Sequence, residues 1–219
     1  MNLSIAVIAK ECRPGRVKTR LTPPLTAVQA ATLAQASLSQ TLRTVRAVDA
    51  DRRLLVFEGM PRPCDAEGFE VFAQAGGGLD ERLAAVCRLT AGPLLILGMD
   101  TPQFTPGLLA ELVADWRQPR PRFPAWLGPA RDGGFWALGL HRPDGALIRG
   151  VPMSTAGTGD EQGRRLAAAG LAVGRLPALT DVDTFDDALR VAAACPGSEF
   201  GRAVRALSLP ARRGTAVPL

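Results

Sequence analysis

Leu3-Ser4-Ile5-Ala6-Val7-Ile8-Ala9, running directly into Lys10-Glu11-Cys12-Arg13-Pro14-Gly15-Arg16-Val17-Lys18-Thr19-Arg20, is the stretch on which the fold turns. Seven residues without a charge, and without the alternation of a half-wetted strand, read as a strand buried on both faces. Such a strand needs helices on both sides. Pro14, Gly15, Pro23 and Pro24 then forbid extended regular structure. Thr26 and Gln29, at capping-box spacing, open a helix reaching about residue 48. Strands are predicted at 53–57, 70–74 and 93–98. A helix at 79–90 carries Leu79, Leu83, Val86 and Cys87 on one stripe, and another runs from Thr105 as N-cap and Pro106 to about residue 116. Strand and helix in alternation imply parallel strands joined by right-handed crossovers. The expected class is therefore α/β: a three-layer α/β/α sandwich on a mostly parallel sheet.

The texture changes after residue 118, where Pro119, Pro121 and Pro124 break the chain and residues 125–140 read as two short strands around Arg131-Asp132-Gly133-Gly134. Apolar surface expected on those strands is a candidate surface for a homodimer. Residues 151–160 read as loop, 161–169 and 184–195 as helices and 171–176 as a strand. With no interdomain linker, residues 1–207 form one domain in this reading and 208–219 a flexible tail.

Composition narrows the chemistry. Hydrophobic residues make up 47% and charged residues 21% of 219, which excludes a collagenous or disordered chain. A net charge of +5 admits an anionic substrate but is too small to argue nucleic-acid binding. Four dispersed cysteines form no C-x-x-C pair, and the single histidine, His141, leaves no room for a two-histidine metal site. Any metal must rest on carboxylates. No apolar run approaches the roughly 20 residues of a membrane span, and residues 3–9 lack the flanks of a secretory signal. A soluble cytoplasmic protein is expected.

In an open parallel sheet, ligands bind beyond the carboxyl ends of the strands. Lys10, Arg13, Arg16, Lys18 and Arg20 follow the first strand there, and the only two of the chain's 26 basic residues that are lysines fall in this segment. A compact ammonium suits phosphate; an ordinary solvated loop is the competing reading. Asp100 leaves the 93–98 strand at the same edge, where an unpartnered carboxylate is costly. Asp181 and Asp183, two apart, point the same way if extended, and with Asp100 they offer the oxygen donors that Mg²⁺ or Mn²⁺ uses beside substrate phosphates. For Asp183 the competing reading is a helix N-cap. Asp132-Gly133-Gly134-Phe135 reads either as a hairpin turn or as a place where backbone amides approach a bound acceptor. Gly76-Gly77-Gly78 allows the same two readings. No G-x-G-x-x-G fingerprint or P-loop is present.

Four motifs occur in order: residues 14–21 (PGRVKTRL), 97–102 (LGMDTP), 127–136 (LGPARDGGFW) and 176–184 (LPALTDVDT). Together they resemble the glycosyltransferase-A-like family of radical-SAM/selenodomain-associated transferases and, more distantly, guanylyltransferases that activate phospholactate or molybdopterin. The resemblance spans residues 3–195. It implies a nucleotide-diphospho-sugar transferase fold and a metal-dependent enzyme using an activated nucleotide, with nucleotidyl transfer from a triphosphate to a small anionic acceptor favoured. Glycosyl transfer from a nucleotide sugar, or noncatalytic nucleotide binding, is the alternative. It assigns Lys18, Arg20 and Asp100 to catalysis. Lys10, Gly15, Lys18, Arg20, Gln74, Gly76, Gly77 and Asp80 fall to the nucleotide. Asp132, Gly133, Gly134, Phe135, Ser154 and Thr155 fall to the acceptor, and Asp100, Asp181 and Asp183 to Mg²⁺ or Mn²⁺. The chain departs from that pattern in placing its acid at Asp80, two residues later than in relatives that read Q-G-x-G-D-L-G-x-R-L, and in carrying Met153 where a tryptophan is common.

Overall fold

A computed structural model describes residues 2–208; the expected tail at 209–219 lies outside them. The opening apolar run becomes β1 (Ser4–Lys10), followed by α1 (Ala27–Arg46), β2 (Arg52–Glu58), α2 (Pro63–Ala66), β3 (Glu70–Ala73), α3 (Leu79–Val86), β4 (Leu94–Gly98), α4 (Ala110–Trp116), β5 (Ala125–Pro129), β6 (Phe135–Leu140), α5 (Thr158–Ala168), β7 (Val173–Arg175), α6 (Phe185–Ala194) and α7 (Glu199–Ser208). The strands lie in the order β3-β2-β1-β4-β6-β5-β7, and only β6 runs against its neighbours. The mostly parallel α/β sheet is as expected.

Alternate residues of each strand feed two cores. Ile5, Val7, Leu55, Leu95 and Leu97 pack with Leu38, Leu42 and Val45 of α1 and Leu112 and Trp116 of α4. On the opposite face, Ala6, Leu54, Val56 and Ile96 meet Leu83 and Val86 of α3 and Leu166 of α5. Each fully buried Leu or Ile contributes about 1.5–3 kcal/mol, so β1, apolar on both faces, anchors both layers. Behind α1, a third cluster joins Leu33 and Ala36 to Val191 of α6 and to Phe200 and Val204 of α7. α1 begins on the expected cap: Thr26 accepts from Gln29 N, and the Gln29 side chain accepts from Thr26 N.

One expectation is corrected and one competing reading is set aside. The apolar strands of residues 125–140 offer no pairing surface, because β6 lies between β4 and β5 and β5 between β6 and β7, leaving their side chains mostly buried. Thr184, not Asp183, is the N-cap of α6: its side chain accepts from Asp187 N and its amide donates to Asp187. Asp183 is thereby freed from capping.

Candidate active site

Because β1, β2, β4, β5 and β7 run the same way, their carboxyl ends share one edge of the sheet. The loops leaving them are tied together there. Val182 N donates to Asp100 O at 3.0 Å, Leu179 pairs with the chain after β5, and the Gln103 amide donates to Thr180 O at 2.7 Å. Ser37 of α1 donates to Met99 O at 2.8 Å in a buried position, fixing the residue before Asp100. Sequence-distant acids are thus gathered by backbone hydrogen bonds rather than by their own charge.

The cationic loop closes over them. Lys18 Nζ lies 2.9 Å from Asp100 Oδ2 and 3.0 Å from Asp183 Oδ1, with its side chain only 8% exposed. Its φ of 48° falls in the left-handed region, a conformation that costs a non-glycine residue about 1–3 kcal/mol unless surrounding contacts impose it. Burial alone would push the Lys18 ammonium down, but Asp100 and Asp183 more than offset it and hold it above the ordinary lysine value. Arg20, largely exposed, reaches Asp183 Oδ2 at 3.4 Å. Asp181 has no such cation in contact. Burial, reinforced by the charges of Asp100, Asp132 and Asp183 and only partly relieved by Lys18, raises its carboxyl to about 7.

These groups rim a cleft of about 650 Å³ whose lining runs from Ile8, Lys10, Glu58, Gln74 and Arg82 on the α3 side to Asp132, Gly134, Phe135, Ser154 and Thr155 on the α5 side, with Asp100, Asp181, Asp183 and Arg20 between. A smaller hollow of about 250 Å³ adjoins it at Lys10, Lys18, Arg20, Asp100 and Asp183. The structure therefore brings together Lys10, Lys18, Arg20, Gln74, Asp100, Asp132, Gly134, Phe135, Ser154, Thr155, Asp181 and Asp183.

Four nucleotide-side residues stand apart from the cleft lining. Gly15 is exposed on the turn before Lys18, with φ 74°. Gly76 and Gly77 belong to the turn feeding α3: Gly77 has φ 94°, and a Cβ there would fall 1.9 Å from Glu81 Oε2. Asp80 is not part of the cleft lining and accepts from Gly150 N at 2.8 Å. Gly133, φ 93°, lies just behind Gly134, where a Cβ would collide with Ala156 O, so that turn is pressed against the chain leading into α5. Residues absent from the sequence reading also line the cleft, notably Glu58 and Arg82. Glu58 was within reach of the strand-end rule, since it ends β2 in register with Lys10 at the end of β1. His141 packs edge-on against Trp116, away from the cleft.

The donor set bears on a divalent cation as follows. Among the described residues no three His, Cys, Asp or Glu side chains group closely enough to hold a metal ion alone. The expected set of Asp100, Asp181 and Asp183 is to that extent corrected, because Asp183 is turned to Lys18 and Arg20. Yet Asp100 Oδ1 and Asp181 Oδ1 are buried without a hydrogen-bond partner, and two carboxylates completed by substrate phosphates are a common Mg²⁺ environment. The residues fit a cation that arrives with a nucleotide.

A family described as "Uncharacterized protein conserved in bacteria (DUF2064)" matches residues 31–155. The chain belongs to this family. No curated protein matches it. A solved structure from Desulfovibrio desulfuricans G20, provisionally described as a nucleotide-diphospho-sugar transferase, is similar at 22% identity and TM-score 0.80, covering 94% of each chain. Lower similarity links it to a CMP:2-keto-3-deoxy-manno-octonic acid synthetase complexed with CTP (15% identity, TM-score 0.53, 95% and 100% covered). A 2-C-methyl-D-erythritol 4-phosphate cytidylyltransferase from Thermus thermophilus stands at 16% identity and TM-score 0.52, with 89% and 99% covered. This DUF2064 chain has the fold of the nucleotide-diphospho-sugar transferases and cytidylyltransferases. No helix among its described residues is long and apolar enough to cross a membrane.

Proposed function

We propose that this chain is a metal-dependent transferase that moves a nucleotidyl group from a nucleoside triphosphate to a small anionic acceptor. The observation that carries the reading is Lys18, almost buried between Asp100 and Asp183 beside a partnerless Asp181, at the mouth of a cleft large enough for a nucleotide. Alternating cations and carboxylates at the strand ends suit a polyphosphate that brings its own counter-ion.

In this reading Lys10, Lys18 and Arg20 bind phosphate oxygens. An acceptor oxygen, held on the side of Asp132, Gly134, Phe135, Ser154 and Thr155, attacks the α-phosphorus; its bond to the β-phosphate bridging oxygen breaks, and pyrophosphate leaves. Asp100 and Asp181 would hold Mg²⁺ or Mn²⁺, which when bound neutralises charge on the phosphates. Lys18, already fixed by two carboxylates, meets that charge without reorganising. Four cysteines, none paired among the described residues, suit a reducing compartment, and we place the activity in the cytoplasm. A radical-SAM-associated role is compatible with this chemistry.

The resemblance to the D. desulfuricans structure, by far the higher in TM-score of the three, favours glycosyl transfer from a nucleotide sugar as the second reading. The leaving group separates them: pyrophosphate for nucleotidyl transfer, a nucleoside diphosphate for glycosyl transfer. Asp100→Asn tests both. The fold should survive, since Asp100 is tied to Val182 through its main-chain carbonyl, while Mn²⁺-dependent nucleotide binding should be lost; unchanged affinity by calorimetry would remove the metal assignment.

A further inference from the structure

The α3 side of the cleft holds charged groups that phosphate chemistry does not use. β-strand alternation places Val56 and Glu58 on the α3 face, and Glu58 leaves the strand end pointing into the cleft beside Arg82. Arg82 is fixed from three sides: Nε donates to Gly77 O at 3.0 Å, and Nη1 donates to Glu58 Oε2 at 2.5 Å and to Gln74 Oε1 at 3.3 Å. Gln74 is itself locked, because its amide nitrogen donates to Ala9 O at 2.6 Å and Val56 O at 3.4 Å. Its orientation is therefore forced, with only the carbonyl oxygen left for Arg82. Two groups remain without partners among the described residues: Arg82 Nη2, a donor, and Glu58 Oε1, an acceptor next to an Oε2 with a lone pair to spare. Leu79, Leu83 and Ile96 supply apolar lining alongside.

We infer that this Arg82–Glu58 pair reads the base of the nucleotide, and that the base is guanine. The argument rests on the nucleotide-transferase reading above. One donor beside a two-oxygen carboxylate calls for an edge ordered acceptor, donor, donor. Guanine alone among the common bases presents that order, as O6, N1–H and N2–H₂. Uracil would set its second carbonyl against the carboxylate. Adenine and cytosine carry a single donor group on this edge, and their adjacent ring nitrogen is an acceptor that the carboxylate repels. Gln74 acts as a positioning residue that aims Arg82, whereas Glu58 and Arg82 touch the base.

Calorimetric titration of the full chain with GTP, ITP, ATP, CTP and UTP, each with Mn²⁺, tests this without any mutation. Inosine lacks only the 2-amino group. A hydrogen bond from that group to a carboxylate makes GTP about 10-fold or more tighter than ITP, with the other three weaker than GTP. Glu58→Gln, checked for folding by circular dichroism, should collapse the GTP-to-ITP ratio to near one, because its amide presents a donor to the amino group. Arg82→Met should weaken GTP and ITP alike. Binding of all five within about threefold, preference for another base, or a GTP-to-ITP ratio unchanged by Glu58→Gln overturns the inference and leaves the transferase reading standing. Failure of every nucleotide to bind the wild-type chain overturns that reading instead.

Discussion

Replacing Lys18 with methionine, of similar length but uncharged, separates its two roles. The wild-type ammonium touches Asp100 Oδ2 at 2.9 Å and Asp183 Oδ1 at 3.0 Å. Removing one partner of a buried ion pair costs about 3–5 kcal/mol. Here Asp100 and Asp183 are 37% and 33% exposed, so water reclaims part of that and about 2–3 kcal/mol is expected. For a chain of this size the loss lowers Tm by about 4–12 °C. The second consequence has the opposite sign. Without its internal cation the carboxylate rim is more negative, so Mn²⁺ alone should bind the variant about tenfold more tightly, equivalent to about 1.4 kcal/mol, and should restore more Tm to it than to the wild type. Affinity for a metal-bound nucleotide should fall, because a phosphate contact is gone. Differential scanning fluorimetry and calorimetry read all three. If Lys18→Met melts with the wild type and binds Mn²⁺ equally, Lys18 is not the counter-ion of this rim and the site has been misassembled.

Two further outcomes follow from the same geometry. Asp181, with a carboxyl raised from 3.8 to about 7, holds a proton in the folded state that the unfolded chain has released, so stability should fall as pH rises from about 4 to 7 and then level off. Asp181→Asn should flatten that slope and stabilise the chain by about 2–4 kcal/mol at pH 8, as read by urea titration at several pH values; a steeper slope in the variant would contradict the assignment. Gly133→Ala should cost upwards of about 2 kcal/mol by thermal melting, because φ is 93° and the added Cβ would meet Ala156 O; near-neutral stability would mean the turn is free of the chain before α5.

What could be read from the amino acids was what local pattern and strand polarity determine. The uncharged run at the start of the chain required cover on both faces, the strand-end rule put Lys18 and Asp100 at one edge, and the resemblance joined Asp181 and Asp183 to them although 165 positions separate Lys18 from Asp183. The misreadings depended on tertiary placement: whether a strand lies inside the sheet, and which of two suitable groups packing selects. Asp183 and Thr184 are both good caps, and only the reciprocal bonds with Asp187 select Thr184. α7, absent from the sequence reading, takes its stability from Phe200 and Val204 against α1 and α6 rather than from its own sequence signals.

Asp80 shows the same logic with a functional consequence. Asp80, on the first turn of α3, accepts from Gly150 N and so ties α3 to the segment before α5. Arg82, one turn into α3, is held by Gly77 O at the turn and by Gln74 and Glu58 from the sheet side. On the inference above, base recognition rests on the carboxylate at the end of β2 and not on an acid in the glycine-rich turn. That strand end is held by β1, with Glu58 in register with Lys10 and its carbonyl accepting from Glu11 N at 2.9 Å, so the carboxylate springs from a fixed backbone.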